Sequence, residues 1–516
     1  MSKALSRSSK TKKSSGFDEL SSELLKMGAD VLSEPLTKII NKSIEEGRFP
    51  EKWKVAKVCP LHKKGDRTDI SNYRPVALLS VPSMVLERVV AIQIESYFEE
   101  NGLLGDFQFG FRKGKSTISE LIQLFDTLME AKLNKKEICL VLYDLSSAFD
   151  TVCPQVLLEK LKLYGFTSNS MSWISSYLSG RKQAVTLNGE VSEEIELTLG
   201  TPQGSRLSPL LFVILMSDLN LYTNESTLTN YADDTQSCII SDTQEKAIEL
   251  AQSESNAVVS FFKGINLVNN PKKACVLYNS KGKGVQVTIE NIGGATLTSK
   301  NSEKLLGLNV SANLGWDTHV EKLCIKLKQR LGMLRRIRSK IGRSKLKIIG
   351  EAILTSRIRY GLAVYGNPKF DFNSHDQTMD PNLKKIQVIQ NDMIRLLCNY
   401  KRGDHIEMKS LREKMNIMSV NQMCVYHVAL EMFNIVVNSS AERVKEKITL
   451  QQNPSYQLRN RNNGEVKVPV KPSKPYFSYS GPKLFNSLPE EIRKTDSPKS
   501  FKVQLKNWIW ENIPSV

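Results

Sequence analysis

The sequence lacks long apolar runs and paired cysteines. No uninterrupted apolar stretch reaches the roughly 18 residues that span a bilayer, and no signal-peptide core follows the start. The eight cysteines are scattered, and none stands in a Cys-x-x-Cys pair. These absences argue against a membrane protein, a disulfide framework and a zinc knuckle. They favour a soluble intracellular protein with reduced, mostly buried thiols.

Acidic residues are also in short supply. The chain has 54 Asp and Glu against 72 Lys and Arg, which leaves a net charge of +18. Such a surplus favours a polyanionic partner such as nucleic acid, although a membrane-surface protein fits basic charge too. The 516 residues exceed what one hydrophobic core usually serves, so we expect two or three domains or subdomains.

Two adjacent carboxylates stand out among the acidic residues. Residues 227–240 read TLTNYADDTQSCII, in which two β-branched runs flank the YADD sequence. This pattern predicts a hairpin with Asp233 and Asp234 at its tip. Neighbouring anions repel each other, so the pair indicates a hard divalent cation as counter-ion. An Asp-rich surface turn explains an isolated YADD equally well.

A third carboxylate ends a predicted buried strand. Residues 138–145 read ICLVLYDL, a continuous apolar run of strand length that is typical of burial on both faces. An ionised Asp144 at its end is costly unless it is paired or bound to a metal. Asp144 is therefore the best candidate partner for Asp233 and Asp234. Phe149 follows closely enough to form a wall of the same site.

Two further stretches suit a nucleotide. Lys63, Lys64 and Arg74 would project from a hairpin of two predicted strands, near residues 55–61 and 76–79, and could grip a triphosphate. Ordinary surface charges explain these residues equally well. The TPQG sequence places a permissive backbone beside Gln203, which suits the close approach of a ring and sugar.

A basic loop is a candidate for contacting a nucleic-acid backbone. Arg112, Lys113 and Lys115 precede a predicted helix that starts near Ser116. A basic loop at a helix N-terminus suits a phosphate, here that of a template. A solubilising loop is an equal alternative.

A long basic helix is a second candidate. Residues 319–347 carry 11 Lys or Arg against the single acidic residue Glu321, and apolar residues recur at helical spacing. The predicted helix would dock its apolar stripe and turn a basic face outward, with Lys326 and Arg330 as candidate phosphate contacts. A merely solvated basic face is the alternative.

The remaining patterns predict mostly helices. We expect helices at residues 20–44 with an interruption near Pro35, at 82–99, 154–164, 210–219 and 381–436, and through 501–508 at the end. A short strand pair is expected at 305–308, and residues 361–380 look like a loop.

Taken together, the motifs resemble the reverse transcriptase palm. YDLSSAFD, TPQG, YADD, the segment 264–273 and LLGL occur in the order and spacing of that family. RPVALLS and QFGFRKGKST resemble the fingers motifs of non-LTR retrotransposon enzymes, and GPKLFNSLP resembles the C-terminal part of Jockey-like proteins.

The resemblance implies an α+β right-hand polymerase, with fingers, a palm built on an antiparallel sheet, a thumb, and a mostly helical basic C-terminal region. Its parts would be a disordered basic tail at 1–15, fingers and palm at 16–310, thumb helices at 311–380, a helical region at 381–450, and a basic region with a terminal helix at 451–516.

The resemblance also implies roles for residues. Asp144, Asp233 and Asp234 would bind two Mg²⁺ ions, for which Mn²⁺ could substitute. Lys273 would protonate the leaving pyrophosphate, and Leu306 would lie with Gly307 in the primer grip.

The nucleotide-binding residues follow in the same way. Lys64 and Arg74 would hold the incoming deoxynucleoside triphosphate, and Phe149 would exclude a ribose 2′-hydroxyl. Gln203 and Gly204 would flank the nascent base pair. The implied function is an RNA-directed DNA polymerase that extends a DNA primer on an RNA template, as a ribonucleoprotein of nucleus and cytoplasm without a membrane segment.

Two alternatives remain open. One is a truncated retroelement relic that only binds nucleic acid. The other is an RNA-dependent RNA polymerase, which Phe149 and YADD disfavour. The chain begins within the KSSGFDEL motif, so no endonuclease residues are assigned, and no RNase H constellation is found. Ser147 stands where the family often has Lys, and we expect a minor effect. Oligomeric state is left open.

Overall fold

The computed structural model describes residues 15–271, 273–292, 294–366, 379–401, 403–449, 465–469 and 476–513, which form a mixed α+β structure. The strands are β1 (Val55–His62), β2 (Tyr73–Leu78), β3 (Glu137–Tyr143), β4 (Arg181–Leu187), β5 (Glu190–Val191), β6 (Ile195–Leu197), β7 (Ser226–Tyr231), β8 (Asp234–Ser241), β9 (Cys275–Ser280), β10 (Lys283–Gly284), β11 (Thr288–Ile292), β12 (Ala295–Thr298), β13 (Ser302–Leu305) and β14 (Leu308–Ser311). The helices are α1 (Ser22–Met27), α2 (Ala29–Glu45), α3 (Val81–Glu100), α4 (Thr117–Leu133), α5 (Pro154–Leu163), α6 (Ser168–Leu178), α7 (Ser208–Met216), α8 (Gln244–Gly264), α9 (Asp317–Ile337), α10 (Arg343–Gly350), α11 (Ser356–Arg359), α12 (Leu362–Tyr365), α13 (Pro381–Cys398), α14 (Met408–Met415), α15 (Val420–Asn438), α16 (Glu442–Ile448), α17 (Phe477–Asn486), α18 (Glu490–Arg493) and α19 (Pro498–Asn512).

A five-stranded antiparallel sheet, in the order β10-β9-β3-β8-β7, separates two hydrophobic cores. All seven residues of β3 are buried, as the continuous apolar run predicts. Alternate side chains point to opposite faces, so Leu140 faces the core with α4 and the C-terminal helices. Val141 faces the other core, which holds α3, α7 and α8.

A second sheet, in the order β2-β1-β4-β5 with β6 paired to β4, stands beside the first. The predicted hairpin is present, because β1 pairs antiparallel with β2 and Leu61 faces Arg74. The amide of Ala77 on β2 donates to the carbonyl of Gln203 at 2.9 Å. This bond joins the second sheet to the TPQG loop.

The C-terminal helices pack back onto the N-terminal half of the chain. α16 and α17 contact α4, the helix that lies against β3 and β7. Lys447 on α16 pairs with Asp126 at 2.8 Å and with Glu130 at 2.6 Å, both on α4. α15 is long and apolar enough to cross a membrane by length and composition alone, but 61% of its apolar window is buried inside the protein.

Several helix predictions are confirmed and three are corrected. α3 and α5 begin and end close to the predicted positions, and α4 begins close to its predicted start. All eight cysteines lie in described residues and are free thiols, as expected. Pro35 does not interrupt the first helical segment, since it is exposed within a continuous α2 and the break falls at Gly28 instead. Water can reach the carbonyl that an exposed proline leaves without a donor.

The other two corrections concern helix length. The basic helix predicted over 319–347 ends at Ile337, and α10 begins after Gly342. Residues 381–436 form three helices, α13, α14 and most of α15, separated by turns. Apolar periodicity survives these breaks, because each short helix again turns one face to the core. The tail predicted at 1–15 lies almost wholly outside the described residues, as do residues 367–378 of the predicted loop at 361–380. The described start of that loop is wrong as predicted, since it forms α12.

Candidate active site

Three carboxylates meet at one end of the antiparallel sheet. β3 pairs with β8 so that Tyr143 faces Thr235, and the next position along β3 brings Asp144 beside Asp234. Tyr231 pairs with Asp234 across β7 and β8, which leaves Ala232 and Asp233 as a two-residue turn. The predicted juxtaposition of Asp144, Asp233 and Asp234 therefore follows from strand register. We call β7, β8 and their turn the carboxylate hairpin.

The turn of the carboxylate hairpin is strained and is held from behind. Ala232 has φ +61°, a left-handed conformation that a residue with a Cβ rarely adopts. The buried Gln108 side chain holds this turn, since its Oε1 accepts hydrogen bonds from Gly110 N at 2.9 Å and from Ala232 N at 3.3 Å. A Cβ on Gly110 would lie 2.3 Å from Ala232 N, so only glycine allows this approach.

Residues 107–110 thus lie alongside β7. The amide of Phe109 donates to the carbonyl of Asn230, and the amide of Asn230 donates to the carbonyl of Phe107, each at 2.8 Å. The sequence analysis considered only the basic residues of QFGFRKGKST as candidate phosphate contacts and missed this contact. The alternation of Phe107, Gln108 and Phe109 is a strand-like pattern that could have indicated it.

The carboxylates share one electrostatic environment. Loss of hydration raises the pKa of Asp233, and the charge of Asp144 raises it further, while Arg74 and Lys63 act in the opposite direction. Loss of hydration and the charges of Asp233 and Asp144 raise the pKa of Asp234 to about 6, although this side chain still reaches solvent. Like charges at such a site are relieved by a cation.

The chemistry of this donor set fits Mg²⁺, which prefers carboxylate oxygens. As placed, no three His, Cys, Asp or Glu side chains among the described residues lie close enough to enclose a metal ion. Asp144 Oδ2 instead accepts a hydrogen bond from Lys273 Nζ at 3.0 Å. Asp144, Asp233 and Asp234 are the residues that would hold such an ion, and Lys273 would compete with it for Asp144.

A cleft of about 640 Å³ opens beside Asp144 and Asp233. Arg74 and Lys63 line it from the second sheet, whereas the predicted Lys64 is exposed beyond the lining. Lys63 follows the last residue of β1, and its amide donates to the carbonyl of Asn72 at 2.8 Å. The structure thus places the neighbour of the predicted lysine in the cleft.

Phe149, Gln203 and Gly204 line the same cleft, as predicted. Phe149 packs against Phe212 with ring centroids 4.7 Å apart and the rings tilted by 31°, which holds its ring in the wall. The Gln203 amide donates to both carboxylate oxygens of Asp150, at 2.7 and 2.9 Å. Gly204 has φ +121°, and a Cβ there would lie 2.6 Å from the Ala77 carbonyl oxygen.

The predicted basic loop before α4 divides into an exposed and a tethered part. Lys113 is exposed. Arg112 is nearly buried, pairs with Glu99 at 2.9 Å and donates to the carbonyl of Gly105 at 2.9 Å. These contacts give Arg112 a structural role in holding the loop, which its sequence context did not reveal.

Lys115 is the third basic residue of that loop. Its Nζ donates to the carbonyl of Asp106 at 3.2 Å and lies 4.9 Å from the centroid of the Phe109 ring. Loss of hydration and the nearby charge of Arg112 lower the pKa of Lys115 to about 8. Its charge therefore changes close to neutral pH.

The basic face of α9 is present. Leu323, Leu327 and Leu331 are buried on its apolar stripe, as the periodicity predicts. Lys326 is exposed on the other side. Arg330 is half-buried, and its Nη1 lies 3.5 Å from the carbonyl oxygen of Ile353.

A buried acid behind the carboxylate hairpin also escaped sequence reasoning. Glu120 on α4 is fully buried. Loss of hydration and the charge of Asp234 raise its pKa well above the usual range of a carboxyl group, so the neutral form is favoured. Its apolar neighbours at helical spacing gave no sign that this acidic position faces inward.

Comparison with known proteins finds similarity over a large part of this chain. The model of the reverse transcriptase (RNA-dependent DNA polymerase) family matches residues 61–310. The probable RNA-directed DNA polymerase from transposon X-element of Drosophila melanogaster is 29% identical over 374 residues, which cover 70% of this chain and 39% of that protein. The RNA-directed DNA polymerase from mobile element jockey of the same species is 26% identical over 466 residues, covering 87% of this chain and 49% of that protein.

The chain spans less than half the length of these two relatives. Among solved structures, telomerase from Candida tropicalis in complex with a fragment of telomeric RNA aligns with a TM-score of 0.38 at 12% identity, over 84% of this chain and 70% of that one. The family match covers both the carboxylate hairpin and the cleft. Residues 61–310 of this chain are therefore similar to reverse transcriptase domains, including those of the two transposon proteins above.

Proposed function

We propose that this chain is an RNA-directed DNA polymerase, which adds deoxynucleotides to a DNA primer on an RNA template. The observation that carries the proposal is that Asp144, Asp233 and Asp234 meet at one end of the sheet, beside a cleft that Lys63 and Arg74 also line. Phosphoryl transfer needs this combination of negative charge for metal ions and positive charge for phosphates.

Each part of the fold then has a role in a right-hand polymerase. The antiparallel sheet with the carboxylate hairpin is the palm, and the second sheet with Arg74 is the fingers. Helices α9 to α12 are the thumb, whose basic face would follow the phosphates of the template–primer duplex without reading sequence. The C-terminal helices that pack on α4 support the palm from behind.

The cleft residues would bind and orient the incoming nucleotide. Arg74 offers paired N–H donors to phosphate oxygens, and Lys63 adds a point charge on the same wall. Phe149, fixed against Phe212, would meet the sugar and reject a 2′-hydroxyl. Gln203 would flank the base pair once its hydrogen bond to Asp150 is broken. The absence of a side chain at Gly204 lets the TPQG loop lie against Ala77.

Mg²⁺ ions held by Asp144, Asp233 and Asp234 would activate the primer 3′-hydroxyl and neutralise the leaving pyrophosphate, and Mn²⁺ could replace them. Lys273 lines the same cleft, and its Nζ donates a hydrogen bond to Asp144. Without this bond, the Lys273 ammonium group would lie near the departing phosphates and would supply a proton to them.

Primer extension tests the proposal directly. An RNA template, a DNA primer and deoxynucleotides should give full-length product with Mg²⁺ and none after chelation. Asp233→Ala should abolish the product. Absence of synthesis by the wild-type chain, combined with salt-sensitive binding of the duplex, would instead favour a non-catalytic nucleic-acid binder. Product that survives Asp233→Ala would also overturn the proposal.

A further inference from the structure

We propose that Tyr360 is a positioning residue that fixes the turn between β13 and β14 beside the carboxylate hairpin, where the primer end has to lie. The Tyr360 hydroxyl lies 2.5 Å from the carbonyl oxygen of Leu306 and 3.3 Å from Thr117 Oγ1. One side chain thus joins the turn, the start of α4 and the thumb helices. The inference rests on the proposed polymerase function.

The turn that Tyr360 holds is strained. Leu306 has φ +42° and Gly307 has φ +89°, both in the left-handed region. A Cβ on Gly307 would lie 2.8 Å from Cε1 of Tyr360, so the ring packs directly on the glycine backbone. A strained turn persists where its surroundings fix it, and such turns occur often at functional sites.

Tyr360 is itself fixed in place. It ends α11, and the following Gly361 has φ +73° and would place a Cβ 2.7 Å from Cδ2 of Leu308 on β14. A five-residue π-helix, Glu351–Thr355, precedes α11. π-Helical turns are rare and occur frequently at functional sites. The backbone around Tyr360 is thus shaped by its contact with β13 and β14.

The position of Tyr360 relative to the cleft indicates what its contact with the turn between β13 and β14 could do. The cleft that holds Arg74 and Lys63 is not lined by Tyr360, Leu306 or Tyr231. Tyr231 pairs with Asp234 across the carboxylate hairpin. The Tyr360 hydroxyl reaches Thr117, the first residue of α4, and α4 lies against β7 of this hairpin.

A polymerase must bring its two substrates to the carboxylates from different sides. The cleft provides for the triphosphate, and the turn at Leu306 and Gly307 with the Tyr360 ring packed on it is left for the primer. Tyr360 is 40% exposed, so one face of its ring can meet a nucleotide while its hydroxyl holds the turn.

Tyr360→Phe tests the inference because it removes the hydroxyl and keeps the ring. We expect the maximal rate of single-nucleotide addition, at saturating primer–template and deoxynucleotide, to fall about tenfold, as for a lost hydrogen bond and a misplaced reactant. The KM for the deoxynucleotide should stay within about twofold, since its cleft is untouched. Tyr400→Phe is the matched control, because Tyr400 is 42% exposed and lies after α13; it should behave as wild type.

The outcomes separate the two proposals. A tenfold lower maximal rate with an unchanged KM and an unchanged melting temperature supports the positioning role. The melting temperature is measured in parallel, because a general loss of folded enzyme would lower it. Equal rates for Tyr360→Phe and Tyr400→Phe, in a wild-type background that extends primers, would overturn the role of Tyr360 alone. A wild-type chain that extends no primer would overturn the polymerase function and this inference with it.

Discussion

The two adjacent aspartates of the carboxylate hairpin are not equivalent. Asp233 lines the cleft, and the charges of Arg74 and Lys63 favour its ionised form. Asp234 starts β8 at an exposed position, and its pKa of about 6 means that it binds a proton more readily. The carboxylate that lines the cleft opposite these basic side chains is the better placed metal ligand.

We therefore predict that Asp233→Asn lowers the primer extension rate by about 10³-fold, equivalent to the several kcal/mol that a metal site contributes. Asp234→Asn should lower it less. Asp242→Asn, a change at an exposed residue just past the far end of β8, is the control and should leave the rate unchanged. A larger loss from Asp234→Asn than from Asp233→Asn would contradict this ranking.

The charge of Lys115 depends on pH near 8. With a pKa near 8 in the folded protein against a normal value of 10.5, it loses its charge as the pH rises through 8. We predict that the Kd for a nucleic-acid duplex rises about fivefold between pH 7 and 9, the effect of one charged phosphate contact. Lys115→Arg keeps its charge and should remove most of this change. An identical pH dependence in both proteins would exclude Lys115 as a contact.

The same pKa fixes the sign of a stability effect. Between about pH 8 and 10.5 the unfolded chain holds a proton on Lys115 that the folded chain has lost. Stability contributed by Lys115 therefore increases as the pH rises through this range and is lost as the pH falls back through 8.

At the scale of elements, the carboxylate hairpin depends on the segment that lies behind it. Gly110 approaches Ala232 so closely that any side chain must displace the turn. Gly110→Ala should therefore reduce primer extension by about 10²-fold, as expected for a reacting group misplaced by about 1 Å. Affinity for the duplex should change little, because the basic surfaces are intact.

Gly264→Ala provides the control for this change. Gly264 is the last residue of α8, and a Cβ there meets no atom within 4 Å. This variant should retain the extension rate and gain slightly in helix stability. Normal extension by Gly110→Ala would show that the turn tolerates displacement and that the contact with residues 107–110 is dispensable.

At the scale of the whole molecule, the C-terminal region is bound to α4 through buried charge. Asp126 on α4 is 1% exposed, and it accepts hydrogen bonds from Lys447 at 2.8 Å and from the amide of Ser478 at 2.8 Å. The Arg443 amide also lies 3.3 Å from Gln123 Oε1 on α4. These contacts join residues more than 300 positions apart.

Removing the Lys447 ammonium group should therefore weaken the attachment of the C-terminal helices to α4. We predict that Lys447→Met costs about 2 kcal/mol of folding free energy, less than for a fully buried pair because Lys447 is 32% exposed. Chemical denaturation measures the loss. Lys494→Met, which breaks a surface pair with Glu490, should cost less than about 0.5 kcal/mol. Equal effects of the two changes would mean that the junction adds nothing beyond a surface ion pair.

The sequence by itself determined the features that short-range pattern encodes. The buried β3, the hairpin around Asp233 and the apolar stripe of α9 each follow from side-chain spacing over a few residues. The order of Asp144, TPQG and YADD then indicated a shared site. Helix boundaries predicted from side-chain spacing were wrong at two kinds of position. At the exposed Pro35 the helix tolerates a proline, and after Ile337 the apolar periodicity continues across a break in the helix.

Only the tertiary structure decided which distant residues support that site. Gln108 reaches Ala232 across 124 positions, and Tyr360 reaches Thr117 across 243. The choice of Lys63 over Lys64 at the cleft depends on which way the chain turns after β1. Such contacts are set by strand register and by the packing of helices against a common sheet. No local pattern encodes them, because the same spacing of apolar residues is satisfied by many pairs of partners.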